Sequence, residues 1–293
     1  MRKYLIPIIL LLVSLGFGQQ DFSKVQIKTT HVAGNVYMLV GAGGNIGVSV
    51  GPDGILIVDD QFAPLADKIR AALGHLNGGK LKFILNTHWH GDHTGGNKVF
   101  GTETPILAHT NVRKRLMEGA KRGDRTIPPA PKEAWPVITF DDAVSIHFNN
   151  EEIKAIHFPP GHTDGDVIVF FTKSHVVHMG DDFFSGRFPF VDLASGGDVE
   201  GLIQTIEKVL KQLPEDVKLI PGHGPLSGKK ELRDYLTMLK ETTAIVSKEM
   251  KQGMSLKEIQ KKGLPEKWKN WSWRFIDTDR WLQIVFNSLK KGV

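Results

Sequence analysis

An α/β protein of two packed sheets covered by helices is predicted by three features of the sequence. Short β-patterned runs fall into two clusters, and each cluster is followed by segments with helical apolar spacing. Gly, Asn and Pro turn signals divide them, with no repeat of solenoid period and no low-complexity tract. The 293 residues are 41% hydrophobic and 24% charged, an ordinary globular composition.

The first segment, MRKYLIPIILLLVSLGFGQQ, has Arg2 and Lys3, an apolar run from Leu5 to Val13, and a small-x-small end at Gly16–Gly18. This is the layout of a signal peptide over residues 1–18, too short to span a bilayer comfortably, where about 20 apolar residues are needed. The expectation is an exported protein, periplasmic or secreted, with one domain over 19–293 and no membrane anchor after cleavage. Without Cys the chain has neither disulfides nor thiolate metal ligands, so any metal must be held by nitrogen and oxygen. The net charge is +5, and removing Arg2 and Lys3 leaves +3. Much of the excess lies in KEMKQGMSLKEIQKKGLPEKWKNWSWR, where interspersed acids read as a solvated helical face; no nucleic-acid partner is expected.

Four short strands are expected first, in VQIKTTHVA, NVYMLV, GNIGVSV and GILIVD. Leu65, Ile69 and Leu73 then recur at helical spacing, and KFILN reads as a buried strand. Another strand and helix follow in GTETPILAHT and NVRKRLMEGA. Residues 123–136 carry four prolines and are expected to be an ordered surface loop without regular structure, a plausible lid. Strands resume from VITFDDAVSIHF through SHVVHMGDD. VEGLIQTIEKVLKQL is an amphipathic helix, VKLIPGHG a strand, and the remainder is helical over about 228–252, near 255–262, and through DRWLQIVFNSLKK.

The stretch LKFILNTHWHGDHTGG concentrates chemistry. Three of the chain's 12 histidines, His88, His90 and His93, share six positions with Asp92. His88 and His90 alternate across an extended turn and can face one ion, while Gly91 lets the backbone swing Asp92 and His93 towards a second. Four such donors this close are electrostatically awkward without a cation, and the N/O set suits zinc, with manganese or iron as substitutes. His162 in PPGHTD, Asp181 in HMGDD and His223 in IPGHGP each follow a glycine at a strand end, where the chain can turn and expose them at one rim.

His-x-His-x-Asp-His followed by Gly-His, Gly-Asp and Gly-His, in that order, resembles the metallo-β-lactamase superfamily over nearly all of the mature chain to about residue 226. The resemblance implies a four-layer αββα sandwich with two Zn²⁺ at one edge of the sheets. His88, His90 and His162 would hold the first metal, Asp92, His93 and His223 the second, and Asp181 would bridge. Asp59 in ILIVDDQF fits the family's early aspartate, expected to hydrogen-bond the cluster loop rather than bind metal. Asp60 and Asp182 adjoin Asp59 and Asp181 and compete for the same roles.

This implies a hydrolase with a metal-bridging hydroxide, oriented by Asp92, acting on a small-molecule lactam, lactone, ester or thioester. β-Lactamase is the named activity this reading puts first, since FPPGHTDGDVIVFF looks like the matching stretch of secreted β-lactamases. Against it, many of those enzymes have Cys where this chain has Asp181, and the bridging aspartate resembles glyoxalase II and lactonases. A glyoxalase II-like thioesterase or a lactonase is the alternative, and a non-catalytic zinc-binding module is a remote one. Trp89, Phe183, Phe184 and Arg187 are candidates for the substrate pocket, with Phe188 and Phe190 beside them. The oligomeric state is left open.

Overall fold

Period-two alternation along the strands sorts the apolar side chains into separate cores. The computed structural model describes residues 21–122, 125–158 and 160–291. Its first sheet takes β1 (Lys28–Ala33), β2 (Val36–Val40), β3 (Ile46–Gly51), β4 (Gly54–Val58), β5 (Leu81–Leu85) and β6 (Ile106–His109) in sequence order. A separate hairpin of β7 (Ala120–Arg122) and β8 (Arg125–Ile127) intervenes before β9 (Ile138–Phe140) completes the edge beside β6. The second sheet runs β10 (Ala143–Phe148), β11 (Glu151–His157), β12 (Val167–Phe171), β13 (Val176–His178), β14 (Lys218–Ile220) and β15 (Ser227–Gly228). The helices are α1 (Ala66–Gly74), the short α2 (Gly91–Thr94) and α3 (Asn97–Phe100), α4 (Thr110–Glu118), α5 (Val199–Gln212), α6 (Lys229–Lys251), α7 (Leu256–Lys262) and α8 (Thr278–Lys291).

Leu56, Val58 and Leu85 of the first sheet meet Val167, Val169 and Phe171 of the second in the core between them. The alternate residues Ile55, Ile57 and Ile84 turn outward against Ile69 and Leu73 of α1. On the far face Ile168, Val177 and Leu219 lie under α5, α6 and α8, in one core with Leu202, Tyr235 and Trp281. The result is the αββα sandwich, whose central strands are apolar on both faces because both faces are covered. Helix α5 shows why the outer layer forms here. Asp198 caps it by accepting from the Gly201 N–H at 2.7 Å, and Val199, Leu202, Ile206 and Val209 form its buried stripe.

Two expectations need comment. Residues 123–136 are not wholly irregular: β8 occupies Arg125–Ile127 and pairs with β7. The prolines start only at Pro128, so nothing forbids the strand before them. The leader expected at 1–18 lies outside the described residues; among those, no helix is long and apolar enough to cross a membrane.

The topology gathers one rim. β4, β5 and β6 are parallel, as are β13 and β14, so their C-terminal ends open together. Backbone hydrogen bonds tie the rims of the two sheets, Asn45 N–H to Gly222 O at 2.8 Å and Val167 N–H to Thr87 O at 2.8 Å.

Candidate metal centre

Each candidate donor leaves a strand end at this rim. The chain after β5 bends through His88 and reaches His90 in extended conformation, and the short α2 then turns Asp92 and His93 inward, with the His93 N–H bonded to His90 O at 3.0 Å. His162 lies on the loop between β11 and β12, Asp181 after β13 and His223 after β14. Two groups result: His88, His90, His162 and Asp181, then Asp92, His93 and His223, with the donor atoms of each group within 4.8 Å of one another. Asp181 stands between them. Its Oδ2 lies 3.4 Å from His162 Nε2 and 3.7 Å from His88 Nε2, while its Oδ1 lies 3.1 Å from His93 Nε2 and 3.5 Å from His223 Nε2. Space for that carboxylate depends on Gly222, where a Cβ would fall 2.1 Å from Asp181 Oδ1.

The rings are aimed from behind. His93 Nδ1–H donates to Asp59 Oδ2 at 2.7 Å, His162 Nδ1–H to Phe190 O at 2.6 Å, and His90 Nε2–H to Asp192 Oδ2 at 2.9 Å. His88 Nδ1–H reaches Thr87 Oγ1 at 3.0 Å, and that hydroxyl donates to Asp59 Oδ2 at 2.7 Å. Asp59 therefore orients one histidine of each group, from a buried position with φ 66°, a conformation costly for a non-glycine residue and usually kept by its surroundings. Asp60 instead accepts from Gly96 N–H at 2.9 Å, and Asp182 from His162 N–H at 3.3 Å. These partners fix the free nitrogens as Nε2 of His88, His93 and His162 and Nδ1 of His90.

The donor set fits two divalent cations. Nε2 of His88 and Oδ1 of Asp181 are buried without a hydrogen bond, a cost the fold has no other reason to carry. His90 Nδ1 and His162 Nε2 approach to 2.8 Å, and His93 Nε2 and His223 Nε2 to 3.4 Å. In the protein alone the charges separate by group. Burial and neighbouring histidines push His88 well below its usual value, and burial holds His162 down at about 4 despite Asp181. At the second group burial is outweighed: Asp181, with Asp59 and Asp92, lifts His93 well above its usual value, and Asp181 and Asp92 lift His223 to about 9. In return, and against burial, His93 and His223 hold Asp92 and Asp181 far below the usual carboxylate range.

A cavity of about 940 Å³ opens beside the donors, and Trp89, His90, Asp92, Asp181, Phe184, Phe190 and His223 line it. Of the pocket candidates, Trp89 and Phe184 face this cavity. Phe183 does not: it is fully buried against Tyr235 of α6, ring centroids 5.2 Å apart, because it takes the opposite face of the chain from Phe184. Phe188 likewise stacks on Trp281 in the helical core. Arg187 is absent from the lining and sits over the Trp273 ring at 5.0 Å. Sequence reasoning missed Asp192, Trp273 and Phe275. Asp192 lies in an ordinary turn sequence, and the two aromatics sit some 50 residues beyond His223 in a lysine-rich stretch. From Ile127 to Pro131 the proline-rich segment also borders the cavity.

A family model described as the metallo-beta-lactamase superfamily matches residues 29–223. The chain is 32% identical over 148 residues to the probable metallo-hydrolase YqgX of Bacillus subtilis, covering 48% of this chain and 68% of that protein. It is 30% identical over 163 residues to a hydroxyacylglutathione hydrolase of Polaromonas sp., covering 55% of each. The chain thus spans little more than half the length of that hydrolase. Among solved structures, a metallo-beta-lactamase from Pontibacter korlensis superposes with a TM-score of 0.61 at 18% identity, over 73% of this chain and 99% of that one. The DIM-1 metallo-beta-lactamase gives 0.60 at 19%, over 74% and 99%. At those identities the likeness is one of fold.

Proposed function

The chain belongs to the metallo-beta-lactamase superfamily, and from that premise we propose that it is an exported dizinc hydrolase that cleaves a thioester or ester. The observation that carries this reading is the placement of Asp181, one carboxylate oxygen towards each donor group. A structural zinc site is a closed four-ligand set, whereas here three donors stand on either side of a shared carboxylate beside an open cavity. Two bound zinc ions would supply a shared water acidic enough to ionise near neutral pH and would polarise the scissile carbonyl.

The chain's own groups do the rest. Asp92 is the most exposed of the seven donors, its side chain 32% open, and its depressed pKa keeps it an acceptor that orients the attacking water. His90, His162 and His88 present nitrogens fixed in direction by Asp192, Phe190 O and Thr87. Phe184 and Phe190 keep bulk water from one side of the reacting carbon. Hydrolysis would join a water oxygen to the carbonyl carbon, break the C–S or C–O bond and place a proton on the leaving atom, giving a carboxylate and a thiol or alcohol.

Thioester cleavage takes precedence over the β-lactam expected first. Sequence relatives are named hydroxyacylglutathione hydrolases, while the lactamases share the fold at 18–19% identity. The test is parallel turnover of a thioester, a lactone and a chromogenic cephalosporin by zinc-loaded protein, with His90→Ala as control. A thioester kcat/KM above about 10⁴ M⁻¹s⁻¹, lost in the control, is expected. A cephalosporin rate above that of the thioester would restore the lactamase reading. Chelation should stop turnover and leave the far-UV circular dichroism intact; unfolding on chelation would mean a structural site.

A further inference from the structure

One wall of the cavity is a row of aromatic rings. Phe184 stacks on His223 with centroids 5.1 Å apart, and Trp273 lies 6.2 Å from Phe184. Phe275 is 5.6 Å from both Trp273 and Phe190, and Phe190 is 5.9 Å from His90. The row thus runs from donors of both groups out to Phe275, which is 44% exposed. A strap, Trp271 to Phe275, holds it in place. Trp273 Nε1–H donates to Phe188 O at 2.9 Å, Phe188 N–H to Trp271 O at 2.8 Å, and Trp273 N–H to Ile276 O at 3.0 Å. The segment from Ile127 to Pro131, apolar throughout, also lines the cavity.

Two guanidiniums flank the wall: Arg187 lies over Trp273 at 5.0 Å, and Arg280 over Phe275 at 4.3 Å and over Phe190 at 5.6 Å. Apart from the donor histidines, the lining cations are Lys98 and Arg115. Asp164 holds Arg115 through two hydrogen bonds of 2.9 and 2.5 Å. Lys98 is therefore the one lining Lys or Arg without an ion pair among the described residues. A row of aromatic rings next to a reacting centre gives an acyl chain apolar surface to bury.

We propose that the strap forms an acyl-binding wall and that the preferred substrate is an ester or thioester with a bulky apolar acyl group. This rests on the hydrolytic reading above and names its substrate class. The test uses the zinc-loaded full chain and N-acetylcysteamine thioesters from acetyl to octanoyl. From acetyl to hexanoyl, kcat/KM should rise about tenfold, mostly through KM, since each buried methylene adds to binding. Phe275→Ser, at the most exposed ring of the row, should flatten the rise to below about threefold, and Phe275→Leu should keep most of it. A flat chain-length profile in the parent protein overturns the proposal.

Failure to cleave any ester or thioester would instead remove the hydrolytic reading, and the wall is then judged by binding. Hexanoate and acetate are titrated against the tryptophan fluorescence of the zinc-loaded protein. Hexanoate binding about tenfold tighter, with the difference lost in Phe275→Ser, supports the wall; equal binding overturns it.

Discussion

Asp59 and Asp192 show how much of a metal site lies behind its ligands. Asp59 supports His93 directly and His88 through Thr87, one on each side of Asp181, while Asp192 supports His90 alone. Asp59→Asn should weaken metal binding by about 10–100-fold at both positions, and Asp192→Asn at one. Competition titration with a coloured chelator reads this, and unchanged affinity in Asp59→Asn would remove its orienting role. The charge separation has its own consequence in chelated protein. His223, lifted to about 9, keeps a proton that the unfolded chain releases near 6.5. Its contribution to stability is complete below pH 6.5 and is lost as pH rises through 9. The melting temperature in chelator should therefore fall over that window, and fall less in His223→Ala; a flat or rising profile would contradict the assignment. The donors were legible in the sequence because His-x-His-x-Asp-His is too dense to serve packing, and because glycine precedes each remote donor. Asp192 was not: its role follows from the fold of the 184–195 segment, which no local pattern specifies.

At the scale of elements, the junction of α5 and α8 repays attention. Asp198 caps α5 through Gly201 N–H and accepts from Ser288 Oγ of α8 at 3.0 Å, while Ser288 Oγ also accepts from Val199 N–H at 3.0 Å. Asp198→Ala should cost about 1–2 kcal/mol in denaturant unfolding without changing metal content; a change below about 0.3 kcal/mol would mean solvent replaces the cap. The periodic elements α5, α6 and α8 could be read from apolar spacing because each buries one stripe. Two elements could not. The β7–β8 hairpin is three residues a side and stops immediately before Pro128, so the prolines dominate its composition. The strap from Trp271 to Phe275 has no period, and backbone hydrogen bonds to Phe188 and Ile276 decide its course.

For the whole molecule, apolar cores between the four layers mean that the outermost helices are not accessories. Trp281 of α8 is fully buried, stacked on Phe188 and donating Nε1–H to Thr242 Oγ1 at 3.0 Å. Ending the chain before Thr278 would expose this core, and the shortened protein should lose cooperative thermal unfolding and aggregate on gel filtration. A shortened chain that stays monomeric with a sharp transition would show that α8 is dispensable. The architecture was legible because strand clusters and helices alternate in order along the chain. How the last 70 residues return to the rim was not, since that is set by packing against α5 and the second sheet. The division of labour has a further implication. The match to the family model ends at residue 223, while Trp273 and Phe275 come from beyond it. If the aromatic wall acts as proposed, part of the selectivity is carried by a stretch outside the matched region, and selection could then shift what the protein acts upon through that stretch while leaving the donor set unaltered.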